Sequence, residues 1–135
     1  MTNLVVDTSA AIAILTQEPG ATELAQVLED ATRRVMSAGT YVELSIVLEA
    51  RAGGAARGIV DRFLREARIE IAAVDRDVAD RAVDGWRTYG RGRHPAALNY
   101  GDCFTYGLAM SLSSPVLCTG RDFAATDVVT VTPAS

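Results

Sequence analysis

Residues 4–15 read Leu4-Val5-Val6-Asp7-Thr8-Ser9-Ala10-Ala11-Ile12-Ala13-Ile14-Leu15. The first three form a short aliphatic run without polar alternation, the pattern of a strand covered on both faces. A carboxylate and two hydroxyls end it. The apolar stretch that follows predicts a helix over 10–15, capped by Thr8 or Ser9. A doubly covered strand passing straight into a helix begins the alternation that a parallel α/β sheet requires.

The alternation continues outward from that stretch. Pro19-Gly20 breaks the chain, and residues 21–30 carry Leu24, Val27 and Leu28 on one helix face. Residues 35–38 predict a second strand, and Gly39-Thr40 leads into a helix over 41–51 that Gly53-Gly54 ends. A helix over 56–67 turns Ile59, Val60, Phe63 and Leu64 inward, and residues 69–71 predict a third strand. Residues 75–89 predict a helix with Val78, Ala82, Val83 and Trp86 on one face; 89–99 predict a loop. A helix over 100–113, capped by Asn99 or Gly101, precedes strands at 115–118 and 128–131. Five strands separated by helices predict an α/β fold: a mostly parallel sheet with helices on both faces. A length of 135 residues, 49% hydrophobic and without repeat or linker, predicts one domain, residues 1–135, with its own core.

The formal net charge of -4 argues against coating nucleic acid through bulk positive charge. It leaves room for a metal site, where bound cations reverse the local sign. All 13 basic residues are Arg, whose planar fork suits phosphate, although compositional bias is the plainer explanation. Cys103 and Cys118 form no CxxC, so neither zinc nor a disulfide framework is expected, and both read as small core residues. Asp7 interrupts the first apolar run, and no apolar stretch is long enough to span a bilayer; no membrane association and a cytoplasmic location are expected.

Ligands of open α/β sheets gather at the carboxyl ends of the strands. Asp7, Glu43, Asp102 and Asp122 each fall just after a predicted strand or at a helix N-terminus. Taken singly each has a plain alternative. Asp7 and Asp102 stand where helix caps stand, Glu43 where it would oppose a helix dipole, Asp122 where a turn would use it. Together they can converge, and carboxylates that converge repel unless a cation neutralises them. Hard oxygen ligands suit Mg²⁺ or Mn²⁺, and such a site activates water against a phosphodiester. The lone His94, beside Pro95, supports no Ser/His or Cys/His design, and no dinucleotide or P-loop glycine motif is present.

At these residues the chain resembles the PIN-domain ribonucleases, specifically the VapC toxins of type II toxin–antitoxin pairs. Val5-Val6-Asp7-Thr8-Ser9-Ala10, Tyr41-Val42-Glu43-Leu44, Leu98-Asn99-Tyr100-Gly101-Asp102-Cys103-Phe104 and the segment Gly120-Arg121-Asp122-Phe123 through Asp127-Val128 are similar to the family's four motifs, in order. The resemblance implies a three-layer PIN fold and a Mg²⁺-dependent endoribonuclease, with Mn²⁺ able to substitute. It implies that Asp7 and Asp102 hold the metal, that Glu43 completes the site, and that Asp122, or failing it Asp127, is the fourth acid. It also implies an RNA substrate, a VapB-type antitoxin that occludes the site, and a homodimer.

Further substrate contacts are expected from Thr8 and Ser9, with helix capping as the alternative. Arg91 and Arg93 lie in the densest basic and aromatic segment, with Arg87, Tyr89 and His94, and are candidates for the RNA path; a solvated loop is the alternative. Trp86 and Phe104 are expected in the core, Tyr41 and Tyr106 in the core with a polar tip. Two other function classes stay open on the residues. One is a carboxylate and Mg²⁺ DNA nuclease or phosphatase, although Ser9 stands where an aspartyl phosphatase needs its second Asp. The other is a non-catalytic acidic docking module.

Overall fold

A computed structural model describes residues 3–132. Five strands, β1 (Asn3–Val6), β2 (Arg33–Ser37), β3 (Ile69–Ala72), β4 (Val116–Leu117) and β5 (Thr130–Val131), form one sheet in the order β3-β2-β1-β4-β5. Every pairing is parallel. Six α-helices connect them: α1 (Thr8–Leu15), α2 (Ala21–Asp30), α3 (Ala38–Ala52), α4 (Ala56–Glu66), α5 (Arg76–Tyr89) and α6 (Tyr100–Leu112).

The period of two along each strand sorts side chains between two cores. Leu4 and Val6 of β1, Met36 of β2 and Leu117 of β4 pack with buried residues of α1, α2, α3 and α4. Val5, Val35 and Val116 point the other way, into a core shared with α5 and α6. The fold is therefore the three-layer α/β/α arrangement expected from the alternation. The helical layers are unequal, four helices facing two. On the two-helix side α5 and α6 approach closely because Gly85 and Gly107 sit at the contact. A Cβ on Gly85 would enter the Tyr106 ring, and one on Gly107 would lie 2.6 Å from the Val78 carbonyl.

Several boundaries differ from the sequence reading. Asp7, rather than Thr8 or Ser9, is the N-cap of α1; its carboxylate accepts from the Ser9 N–H. Ala38 begins α3 instead of ending β2, since the Ser37 hydroxyl accepts from Gly39 N–H and starts the helix early. Glu43 consequently lies in the second turn, beyond the reach of a helix-end dipole. The last strand is only Thr130–Val131, an edge strand paired to β4 alone. Trp86 is 42% exposed rather than in the core.

In this order the chain leaves β1 toward β2 on one side, and β4 lies on the other. The crevice at the carboxyl ends of β1 and β4 is the topological switch point, where ligands of open α/β sheets bind. Asp7 follows β1 directly, and the turn carrying Asp122 follows β4.

Candidate active site

The site is organised around Asp7. Its carboxylate is 3% exposed and receives three hydrogen bonds. The Ser9 N–H and hydroxyl donate to Oδ2 at 3.1 and 2.7 Å, and the Thr105 hydroxyl donates to Oδ1 at 2.7 Å. The Ser9 hydroxyl also accepts from Thr119 N–H at 3.0 Å, tying the end of β4 to the start of α1. Behind Thr105, the Thr40 and Thr105 hydroxyls are 3.0 Å apart, and both residues are fully buried.

Glu43 reaches the same place from α3. The Thr8 hydroxyl donates to Glu43 Oε1 at 2.6 Å. Its carboxylate lies against the backbone of Gly101, where any Cβ would displace it. Asp102, one residue on, occupies the third position of α6 in a capping box: Asn99 N–H donates to Asp102 Oδ2 at 3.0 Å, and Asp102 N–H donates to Asn99 Oδ1 at 2.8 Å. Asp7 and Asp102 thus both take part in helix capping, as the plain alternative had it, and both stand beside the same crevice.

Electrostatics and hydrogen bonding distinguish Asp122 from Asp127. Burial pushes the Asp102 carboxyl up to about 7, against the Asn99 N–H, and the charges of Asp7, Asp122 and Glu43 add to the rise. Burial, then Asp7, Asp122 and Asp102, likewise push the buried Cys118 thiol up to about 12. Burial and Asp102 push Cys103 up to about 11. Both cysteines are therefore neutral core groups, as expected. Asp122 stands at the start of a single 3-10 turn (Phe123–Ala125) with no side-chain capping bond. Asp127 instead accepts from the Tyr106 hydroxyl at 2.8 Å and is absent from the charges acting on Asp102.

Among the described residues, no three His, Cys, Asp or Glu side chains are gathered tightly enough to cage a metal unaided. The donor set nonetheless fits a hard divalent cation. Mg²⁺ is commonly held by one or two carboxylates and keeps several waters. Here two carboxylates at a strand end and a helix start are flanked by two more, and one is held from ionising freely by burial and its neighbours. A cation would relieve that repulsion.

Thr8 and Ser9, read as substrate contacts, spend their hydroxyls on Glu43 and Asp7. Arg91 and Arg93 are not drawn into the carboxylate group. The Arg93 guanidinium lies over the Trp86 ring, 4.4 Å from its centroid, and Arg91 N–H closes the loop onto the Leu98 carbonyl. That loop ends at Asn99, the cap of α6, so it borders the site through the chain. Among the described residues the four ion pairs lie elsewhere, and no arginine pairs with the four acids. Thr40 and Thr105 were not singled out by the sequence. The available signal was spacing: Thr40 precedes Glu43 by three, and Thr105 follows Asp102 by three, each one helical turn away.

Comparison with known proteins agrees with this fold. The profile of the family described as PIN domain matches residues 4–129. Ribonuclease VapC30 of Mycobacterium tuberculosis is 45% identical over 128 residues, which are 95% of this chain and 98% of that protein. Ribonuclease VapC of Mycolicibacterium smegmatis is 46% identical over 128 residues, 95% of this chain and 99% of that protein. Among solved structures, the sarcin-ricin loop cleaving toxin VapC20 of M. tuberculosis superposes with a TM-score of 0.77 at 18% identity, covering 96% of this chain and 99% of that one. VapBC2 of Rickettsia felis, bound to a DNA fragment from its promoter, gives a TM-score of 0.76 at 12% identity, covering 98% and 99%.

Proposed function

This chain belongs to the PIN-domain family and, within it, to the VapC ribonucleases, and from that premise we propose that it is a Mg²⁺-dependent endoribonuclease, the toxin of a VapBC-type pair. The charges of Asp7, Glu43 and Asp122, from three separate stretches of chain, bear on the Asp102 carboxyl beside the β1/β4 switch point; that observation supports the reading.

Asp7 and Asp102 would hold the metal. A bound divalent cation supplies charge neutralisation at the scissile phosphate and activation of water. The chain's own residues do the rest. Ser9 and Thr105 fix the Asp7 carboxylate, and Thr8 fixes that of Glu43. The charges of Glu43 and Asp122 act on Asp102 along with that of Asp7, so the group has room for positive charge, and Glu43 would complete the site as a ligand or in orienting water. Mn²⁺, with the same preference for oxygen, would substitute.

The partners follow the same premise. We infer an RNA substrate, a VapB-type antitoxin and a cytoplasmic location for a single domain of residues 1–135. Among the described residues no helix is long and apolar enough to cross a membrane. Val42, Ile46, Val83, Trp86 and Tyr100 are large apolar side chains left exposed on α3, α5 and α6. They support a homodimer, since solvent seldom faces so much apolar surface on a monomer. Arg91 and Arg93, on the loop bordering α6, are the proposed phosphate contacts.

The test is a substrate panel of RNA, DNA and a phosphomonoester with Mg²⁺, with Mn²⁺ and with chelator. RNA cleavage lost on chelation and in Asp102→Asn is expected. Cleavage that survives chelation, or acts on DNA alone, would reject the reading.

A further inference from the structure

The residues that hold metal-site carboxylates in place matter as much as the ligands they hold. Thr40 and Thr105 form a buried chain of hydroxyls ending on Asp7 Oδ1. Thr105 spends its hydrogen on the carboxylate, so Thr40 must donate to Thr105. The chain has a direction: α3 donates to α6, and α6 donates to the end of β1. These are the elements that carry Glu43, Asp102 and Asp7. Thr8, adjacent to Asp7, returns the connection to Glu43. The three elements are thus closed into a ring of hydrogen bonds.

Packing does not require these hydroxyls. Thr40 and Thr105 are each 0% exposed, and valine has the same shape. A buried hydroxyl is a burden unless it has a partner. Here the partner is a carboxylate whose second oxygen is already held by Ser9. With Ser9 on one oxygen and Thr105 on the other, rotation of the Asp7 carboxylate is blocked. Three of its roughly four acceptor sites are filled, leaving room for one ligand bond.

We propose that Thr105, backed by Thr40, is a positioning residue that fixes the Asp7 carboxylate in the orientation in which it receives the divalent cation. The proposal rests on the metal reading above. Thr105→Val keeps the volume and removes the donor; Thr105→Ser keeps the donor. Calorimetric titration of Mn²⁺ into the full chain reads the effect without catalysis. Loss of an orienting partner of this kind weakens metal binding about 10- to 100-fold. Thr105→Val is expected to lose that much, Thr105→Ser to recover most of it, and Thr40→Val to lose a smaller amount in the same direction. Thermal melts establish that each variant is folded. If Thr105→Val does not fold, Thr40→Val with its serine counterpart decides the matter. Wild-type affinity in the folded valine variant overturns the proposal and leaves the metal reading intact. Equal losses in the valine and serine variants also overturn it, because the hydroxyl would then not be the cause. A wild-type chain that takes up no Mn²⁺ overturns both.

Discussion

The start of α1 and the start of α6 each offer a carboxylate to the same crevice, under opposite conditions. At α1, Asp7 is 3% exposed and surrounded by donors: an N–H and two hydroxyls. At α6, Asp102 has one donor, the Asn99 N–H, and three acidic neighbours, and its carboxyl is pushed up to about 7. The first is fixed in place by hydrogen bonds from the protein itself. The second becomes comfortable as an anion only when positive charge arrives. The difference separates a rigid anchor from a group that responds to the cation.

Removing either carboxylate tests what they share. Asp7→Asn and Asp102→Asn should each lower Mg²⁺-dependent cleavage about a thousandfold, since several kcal/mol of charge stabilisation is lost. Initial rates on a short labelled RNA measure this. Between these two sites lies Gly101. Gly101→Ala drives a methyl into the Glu43 carboxylate, and displacement of that size should cost about a hundredfold in rate. A near wild-type rate would mean that Glu43 is free to move without consequence.

Stability without metal should split the two sites by sign. In Asp7→Asn an NH₂ group replaces one of two accepting oxygens, so either the Ser9 N–H loses its acceptor or the Thr105–Thr40 hydroxyls must reverse their direction. A loss of about 1–3 kcal/mol is expected in urea unfolding. Asp102→Asn keeps the acceptor for Asn99 N–H and drops the repulsion, so its melting temperature should rise at pH 8. Equal shifts in the same direction would erase the distinction drawn between the anchor and the responsive group.

The pH dependence follows from the same carboxyl. Folding raises its affinity for a proton from an ordinary value near 4 to about 7. Its stabilising contribution is therefore complete below about pH 4 and is lost as pH rises through about 7. The gain in melting temperature of Asp102→Asn over wild type should be absent near pH 4, grow toward pH 8, and shrink when Mg²⁺ is added to both. The smallest effect is expected from Arg93→Ala, outside both regions. Loss of its exposed stack on Trp86 should cost about 0.5–1 kcal/mol, with a few-fold rise in KM for RNA and little change in kcat.

Most of the fold was legible because its signals are local. The unalternating Leu4-Val5-Val6, the period-3.6 faces of α2, α4 and α5, and the breaks at Pro19-Gly20 and Gly53-Gly54 each act over a few residues. Errors came where a side chain chose between two local roles. Ser37 could have closed a strand or capped a helix, and the Ser37–Gly39 bond made it a cap. Trp86 has the spacing of a core residue but emerges at the rim, because the core between α5 and α6 is filled by Tyr106 set against Gly85.

By itself the sequence determined the α/β alternation and the positions of Asp7 at a strand end, Asp102 at a helix start and Asp122 in the turn after a strand, since both depend on neighbours in the chain. It preferred Asp122 but kept Asp127 as the fallback, because they are five residues apart in the same irregular segment. Only the tertiary structure distinguished them: Asp127 accepts from the Tyr106 hydroxyl, whereas the charge of Asp122 acts on Asp102. The hydroxyls of Thr40 and Thr105 were decided there too. A threonine's partner 65 or 98 residues away is set by how helices pack across a sheet, and no local pattern encodes that contact.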